Sequence, residues 1–199
     1  KPSDAIDADG PSNLAHALMV AADPSWPGVY VLMAAQLHRA HDVRKAHPWR
    51  VEAFSSGEAG PVAQVVGGAT QRLASEPVAT PSRASMQPVG EWVWSGPPHA
   101  WPSVAILTCH GGVEGRWVDA WVQAGVRGLV VATTGNGTLH QSLAVALKRA
   151  ADAGVAIRLI TRCAEGAVMP SGETPWPLSE EVTPAKARVA LMLSLSSVP

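Results

Sequence analysis

"GLVVATTGNGTLHQSLAVALKRAADAGVAIRLIT", residues 128–161, decides how this chain folds. It opens on an apolar run, 128–134, and closes on another, 155–161. Between them, "LHQSLAVALKRAADAG" places apolar residues at helical spacing up to a glycine in the C-cap position. A strand, a helix and a second strand joined in this way make a parallel crossover. Upstream, "SVAILTC" (103–109) supplies another strand and "EGRWVDAWVQAG" (114–125) another helix, again ending at glycine. Downstream, Thr183 caps and Pro184 opens a terminal helix, "PAKARVALMLSL". Residues 101–199 therefore read as a doubly wound parallel α/β domain, flavodoxin-like in class. Open sheets of this kind hold ligands outside the C-terminal ends of their strands. That side carries "CHGG" (109–112), "TTGNGT" (133–138) and "RCAEGAVMPSGE" (162–173).

Residues 1–72 form a separate unit. After the turn "DGP", Ser12 or Asn13 is placed to cap a helix whose face is Leu14, Leu18 and Ala21, and "ADPSWPG" breaks it. "VYVLMAA" (29–35) has the unbroken apolar character of a strand covered on both faces. The polar stretch "QLHRAHDVRKAHPWR" follows. Residues 73–100, rich in Pro, Ser and Gly, have no sustained period and read as a surface linker, pinned by Trp92 and Trp94.

With 47% hydrophobic and 16% charged residues, the 199-residue chain has the material for a real core. A formal net charge of −1 with no Lys/Arg run argues against nucleic acid and anionic membrane as partners, and a small polar ligand fits better. No apolar stretch is long enough to span a bilayer, and "KPSDAIDADG" has no signal-peptide core. Cys109 and Cys163 each follow an apolar run and read as buried, reduced thiols. A cytoplasmic protein is the expectation, with the periplasm as the compartment left open beside it.

"TTGNGT", between a strand and a helix, offers backbone N–H groups and small polar side chains to a polar or anionic ligand, or is a plain tight turn. Lys45, in "HDVRKAH", is either a solvated charge or a catalytic cation. His38, His41 and His47 match no standard metal-ligand spacing, so no metal and no cofactor is expected. Cys109 and His110 are neighbours whose side chains point to opposite faces, a poor geometry for a thiol nucleophile. Neither GxSxG nor a P-loop occurs.

Six stretches in order resemble the bacterial L-asparaginase/glutaminase family. "ADGPSNLAHALMVAA" is similar to its ADGPxNLxxAVxxAA segment, "HDVRKAH" to RDVxKTx, and "VEAFSSGEAGPVAQV" to AFxSxxxGPLGxV. "GLVVATTGNGTLHQSLAVAL" resembles the GLVxxGxGxGN loop and helix, "RLITRCAEGAV" the VxSSRxxxGxV strand and loop, and "LSEEVTPAKARVALMLSL" the closing LxPxKARxLLxLAL. The resemblance implies an α/β fold in which residues 1–72 are the trailing part of an N-terminal α/β domain and residues 101–199 a C-terminal one.

The resemblance also implies an amidohydrolase, converting L-asparagine and water to L-aspartate and ammonia through a threonine nucleophile and an acyl-enzyme. Two threonines, an aspartate and a lysine carry that reaction, and the lysine corresponds to Lys45, which keeps the Thr–Asp pair polarised. The TGGT and HGTDT segments that hold the threonines are absent from these 199 residues. The chain is thus expected to begin mid-domain, an internal methionine codon read as a start being one origin, and to be inactive alone. A neighbouring subunit completes family sites, so a homodimer or homotetramer is implied. The completing residues correspond to Thr138, with Asn136 beside it, and Glu173, eleven residues after Arg162. Thr138 stands where many members have Asn, and Ala34 and Ala35 stand where polar residues are usual. The competing expectation is a non-catalytic binding or interaction module on the same scaffold.

Overall fold

The computed structural model describes residues 4–73, 101–169 and 175–196. Two compact units divide the chain, residues 1–88 and 89–199. The expected linker, with Trp92 and Trp94, lies outside the described residues.

In the second unit the three apolar runs are parallel strands. We number the strands of the whole chain in order, so these are β7 (Val104–Thr108), β8 (Gly128–Thr133) and β9 (Ala156–Thr161), side by side with β8 in the centre. Alternation distributes their side chains. Leu107, Leu129, Val131, Ile157 and Leu159 point into one core with Val118 of α2 (Arg116–Gln123) and Leu143, Ala146, Leu147 and Ala150 of α3 (Gln141–Asp152). Val104, Val130, Ala132 and Ile160 point the other way, onto Ala187 and Leu191 of α4 (Pro184–Ser196). Every residue of β8 is buried, which is why its sequence is apolar up to Thr133, whose hydroxyl donates to Ile160 O at 3.0 Å. The strands lie in sequence order, so α2 and α3 share one face, and among the described residues α4 is the helix that covers the other. Pro177–Ser179 adds a further short parallel pairing at β9, where the Leu159 N–H donates to Pro177 O at 2.9 Å and the Ser179 N–H to Leu159 O at 2.7 Å.

Both crossover helices stop at the glycines read from the sequence. Gly125 and Gly154 have φ of +79° and +86°. The N–H groups of Val126 and Val155 reach back to Trp121 O and Ala150 O, both at 3.0 Å, in the Schellman arrangement. The Thr183 hydroxyl accepts the Lys186 N–H at 3.2 Å and caps α4, as its sequence predicts.

The first unit is antiparallel. Strands β1 (Tyr30–Met33), β2 (Gln36–Arg39), β5 (Ala63–Val66) and β6 (Ala69–Arg72) form one sheet in the order β1-β2-β5-β6. A separate ribbon pairs β3 (Arg44–Lys45) with β4 (Phe54–Ser55). The apolar run 29–35 is therefore not one strand covered on both faces. It is a half-buried edge strand ending at Met33, followed by a two-residue turn in which Ala34 and Ala35 have φ of +50° and +59°. The turn is hidden because alanine stands where Asn-Gly chemistry would announce a hairpin.

Helix α1 (Gly10–Ala21) starts earlier than expected, with Asp9 at the N-cap and Pro11 in the first turn. Its inward face is Asn13, His16, Ala17 and Val20, and Val20 packs with Trp26, Leu37, Ala63 and Val65. Leu14 and Leu18, expected to face the core, are 62% and 63% exposed. Asn13 explains the rotation, since its side chain is tied on one side to Asp9 and on the other to Ala34.

Candidate functional site

The C-terminal edge of the second sheet gathers the loops that follow β8 and β9. Thr134 and Thr138 close the first loop on itself, the Thr138 N–H donating to Thr134 O at 3.1 Å and the Thr134 hydroxyl to Thr138 O at 3.2 Å. Three residues span this closure, and Gly135 and Gly137 turn with φ of +50° and +88° on either side of Asn136. This is the physical reason for the GNG spelling. His140 then caps α3, its Nδ1 accepting the Ser142 N–H at 3.3 Å.

The two loops are joined twice. At the base, the Thr161 hydroxyl donates to Gly135 O and accepts the Cys163 N–H, both at 3.0 Å. Farther out, Asn136 Oδ1 accepts the Met169 N–H at 2.6 Å and its Nδ2 donates to Met169 O at 3.4 Å. Thr138 itself is exposed, and its hydroxyl has no hydrogen-bond partner among the described residues. An open groove of about 780 Å3 runs from Asn136 and Thr138 along α3, past Lys148 and Asp152, toward Trp176.

Arg162 spans the same edge. Its N–H donates to Thr133 O at 2.9 Å and its guanidinium to Cys109 O at 3.0 Å, linking the ends of all three strands. Burial pushes the Cys109 thiol above its ordinary value, against a smaller downward pull from Arg162. Cys109 is accordingly a neutral buried thiol and not an activated nucleophile. Cys163, also expected to be buried, is exposed because it lies just beyond the end of β9. Sequence reasoning did not single out Thr161 or Arg162 for the site. Their signal is positional: hydroxyl and cationic side chains directly at the end of an apolar strand.

In the first unit, Lys45 is exposed on β3, paired in register with Phe54 of β4. The ribbon is held beyond it by the Ala46 N–H, which donates to Ala53 O at 2.8 Å. The three histidines of this region are engaged separately. His38 is buried against the Ser56 hydroxyl, His41 pairs with Asp42, and His47 accepts the N–H groups of Trp49 and Arg50. Among the described residues, no three metal-ligating side chains come together. Glu173 lies outside the described residues. So of the four residues expected at the site, Asn136 and Thr138 share a loop in the second unit, and Lys45 stands in the first.

Two family models cover most of the chain. The one described as Asparaginase, N-terminal matches residues 1–78, and the Glutaminase/Asparaginase C-terminal domain matches residues 103–198. The chain is 30% identical over 206 residues to a glutaminase-asparaginase of Pseudomonas fluorescens, covering 98% of this chain and 54% of that protein. It is 30% identical over 205 residues to L-asparaginase 2 of Escherichia coli, covering 98% and 56% respectively. Similarity also extends to a glutamyl-tRNA(Gln) amidotransferase component of Methanopyrus kandleri, at 30% identity over 175 residues, 84% of this chain and 37% of that one. The chain spans about half the length of the two asparaginase relatives.

Proposed function

The chain belongs to the glutaminase/asparaginase family, and on that premise we propose that it carries part of an L-asparaginase-type amidohydrolase site. The reaction is hydrolysis of a side-chain amide, L-asparagine and water giving L-aspartate and ammonia. Lys45 is the catalytic residue of this chain. Its ammonium holds a Thr–Asp pair in the charge state that lets the threonine hydroxyl attack the amide carbon. That attack expels ammonia and leaves an acyl-enzyme, which water then hydrolyses. The threonines belong to segments that these 199 residues do not contain, so the chain by itself releases no ammonia.

Thr138 and Glu173 bind the substrate from the C-terminal domain of a neighbouring subunit, with Asn136 beside them, in a homodimer or homotetramer. A carboxylate suits the substrate ammonium, and a hydroxyl can accept a second of its protons. The observation that carries this reading is the joining of the loops after β8 and β9 at the C-terminal edge of a parallel sheet, on the side where open α/β sheets receive ligands. Among the described residues no helix is long and apolar enough to cross a membrane.

The alternative reading is a non-catalytic binding or interaction module that keeps the same scaffold without the nucleophile. The codons upstream of Lys1 separate the two. In-frame TGGT and HGTDT segments support the enzyme, and a stop codon directly upstream overturns it.

A further inference from the structure

We propose that Asn136 is a positioning residue, a clip that fixes the Thr138 loop against segment 163–169 and makes no contact with substrate of its own. The inference rests on the reading of Thr138 as a binding residue, and deepens it.

An asparagine side chain can imitate a peptide group, since it offers one acceptor and one donor in a plane. Asn136 uses both on a single residue, accepting from the Met169 N–H at 2.6 Å and donating to Met169 O at 3.4 Å. It therefore occupies the place that the backbone of a neighbouring strand would take. The surroundings fit this use. Gly135 and Gly137 put Asn136 at the tip of a closed loop. A Cβ on Gly137 would lie 3.1 Å from Val168 Cγ1, so the absence of a side chain there lets the loop settle on the facing segment. At the base, Thr161 bridges Gly135 O and the Cys163 N–H. The loop is thus tied at both ends, and Thr138, two residues beyond the clip, inherits its position from it.

Only a side chain of this length with one donor and one acceptor performs the task. Alanine removes both bonds. Glutamine carries the amide one methylene too far. Aspartate keeps the acceptor for the Met169 N–H, but when ionised it sets a second oxygen against Met169 O. Protonated, it again presents one O–H donor and one acceptor in nearly the same shape.

The test is amide hydrogen exchange, followed by NMR on the full chain without substrate, so that its outcome is independent of whether the protein hydrolyses amides. Relative to the wild type, Asn136→Ala accelerates exchange of the Met169 N–H about tenfold after correction for intrinsic rates, while β8 amides keep their protection and report an intact fold. Asn136→Asp, which keeps the acceptor for the Met169 N–H but when ionised sets a second oxygen against Met169 O, exchanges at a rate between wild type and the alanine variant at neutral pH and recovers protection below about pH 4, where its carboxyl is protonated. Unchanged Met169 exchange in Asn136→Ala overturns the proposal, as does an Asn136→Asp variant that never departs from alanine behaviour. L-Aspartate affinity that falls in Asn136→Ala while Met169 exchange stays at the wild-type rate overturns it too, by making the amide a direct ligand.

Discussion

Asn13 accepts the backbone N–H of Ala34 on its Oδ1 at 3.0 Å, so a residue of helix α1 holds shut the turn of a hairpin twenty-one positions away. The bond matters because the turn is strained. Ala34 and Ala35 both occupy the left-handed region, at φ of +50° and +59°, which costs a residue with a Cβ roughly 1–2 kcal/mol. Replacing the pair by Asn-Gly removes most of that cost and is expected to stabilise the first unit by about 1–2 kcal/mol. Asn13→Ala, which takes away the partner of the Ala34 N–H, is expected to destabilise it by about 1–3 kcal/mol. Urea unfolding followed by fluorescence of Trp26, buried in this unit, measures both changes.

Among the described glycines of the second unit, Gly115 makes the closest approach to a neighbour. A Cβ there would lie 2.7 Å from Ala146 Cβ and 3.1 Å from Ser142 O, so α2 begins against the backbone of α3. Gly115→Ala is expected to cost about 1–3 kcal/mol, as overpacking does. Adding Ala146→Gly opens the space and recovers part of the loss, even though glycine inside a helix itself costs about 1 kcal/mol. A double-mutant cycle from denaturation midpoints checks this, and additive losses would show that the steric argument is wrong.

His38 is expected to make the first unit sensitive to acid. It is buried on β2 with Nδ1 2.9 Å from the Ser56 hydroxyl, and burial holds its pKa below the ordinary value of 6.5. Above that value the imidazole is neutral in both the folded and the unfolded chain, so it introduces no pH dependence. As pH falls through 6.5, the unfolded chain takes up the proton first, and stability is lost until the pH reaches the lower folded value. His38→Gln, which keeps a hydrogen-bonding group but cannot titrate, is expected to flatten the fall. Thermal melts between pH 7.5 and 5 of both proteins provide the measurement. Equal slopes would assign the acid sensitivity to other groups.

The parts of the fold legible in the sequence are those where one local rule and the tertiary environment agree. β8 reads as an apolar strand because it is covered on both faces, and Gly125 and Gly154 end their helices because left-handed residues are needed there. The first unit is harder for identifiable reasons. Its turn is built from Ala34 and Ala35, residues that signal no turn, and the outward rotation of Leu14 and Leu18 depends on bonds from Asn13 to a partner twenty-one residues away. At the site, the glycines around Asn136 announce a loop. The Met169 peptide that its amide holds is invisible in one dimension, since it is set by the return of the chain after β9. Thr161 is hidden differently, because a threonine at the end of a strand satisfies β-propensity whether or not its hydroxyl has a task.

The chain alone is expected to leave L-asparagine intact in an ammonia-release assay. An exposed lysine polarises a nucleophile but does not provide the covalent step, and neither Cys109, held neutral by burial, nor the Ser56 hydroxyl, buried against His38, is placed to do so. Ammonia release that Lys45→Ala abolishes would reveal a nucleophile within these 199 residues and change the mechanism.

Glu173 carries the sharpest prediction about substrate recognition. In the proposed site its carboxylate meets the ammonium of an amino-acid amide across a subunit boundary, while the Thr138 hydroxyl provides a neutral contact beside it. Glu173→Gln keeps the shape and removes the charge, so the cost is that of one charge-assisted hydrogen bond, about 1–3 kcal/mol. In the complete enzyme that corresponds to a KM for L-asparagine raised by roughly 5- to 150-fold. Because the ammonium is remote from the bond being cleaved and carries the same charge in ground and transition states, kcat should change far less than KM. Thr138→Val, which removes only a neutral hydroxyl, should raise KM by the smaller factor of roughly 2- to 10-fold. Steady-state kinetics of the two variants order the contributions. Unchanged KM and kcat in Glu173→Gln would make Glu173 an ordinary solvated acid and remove the charge recognition from the proposed site.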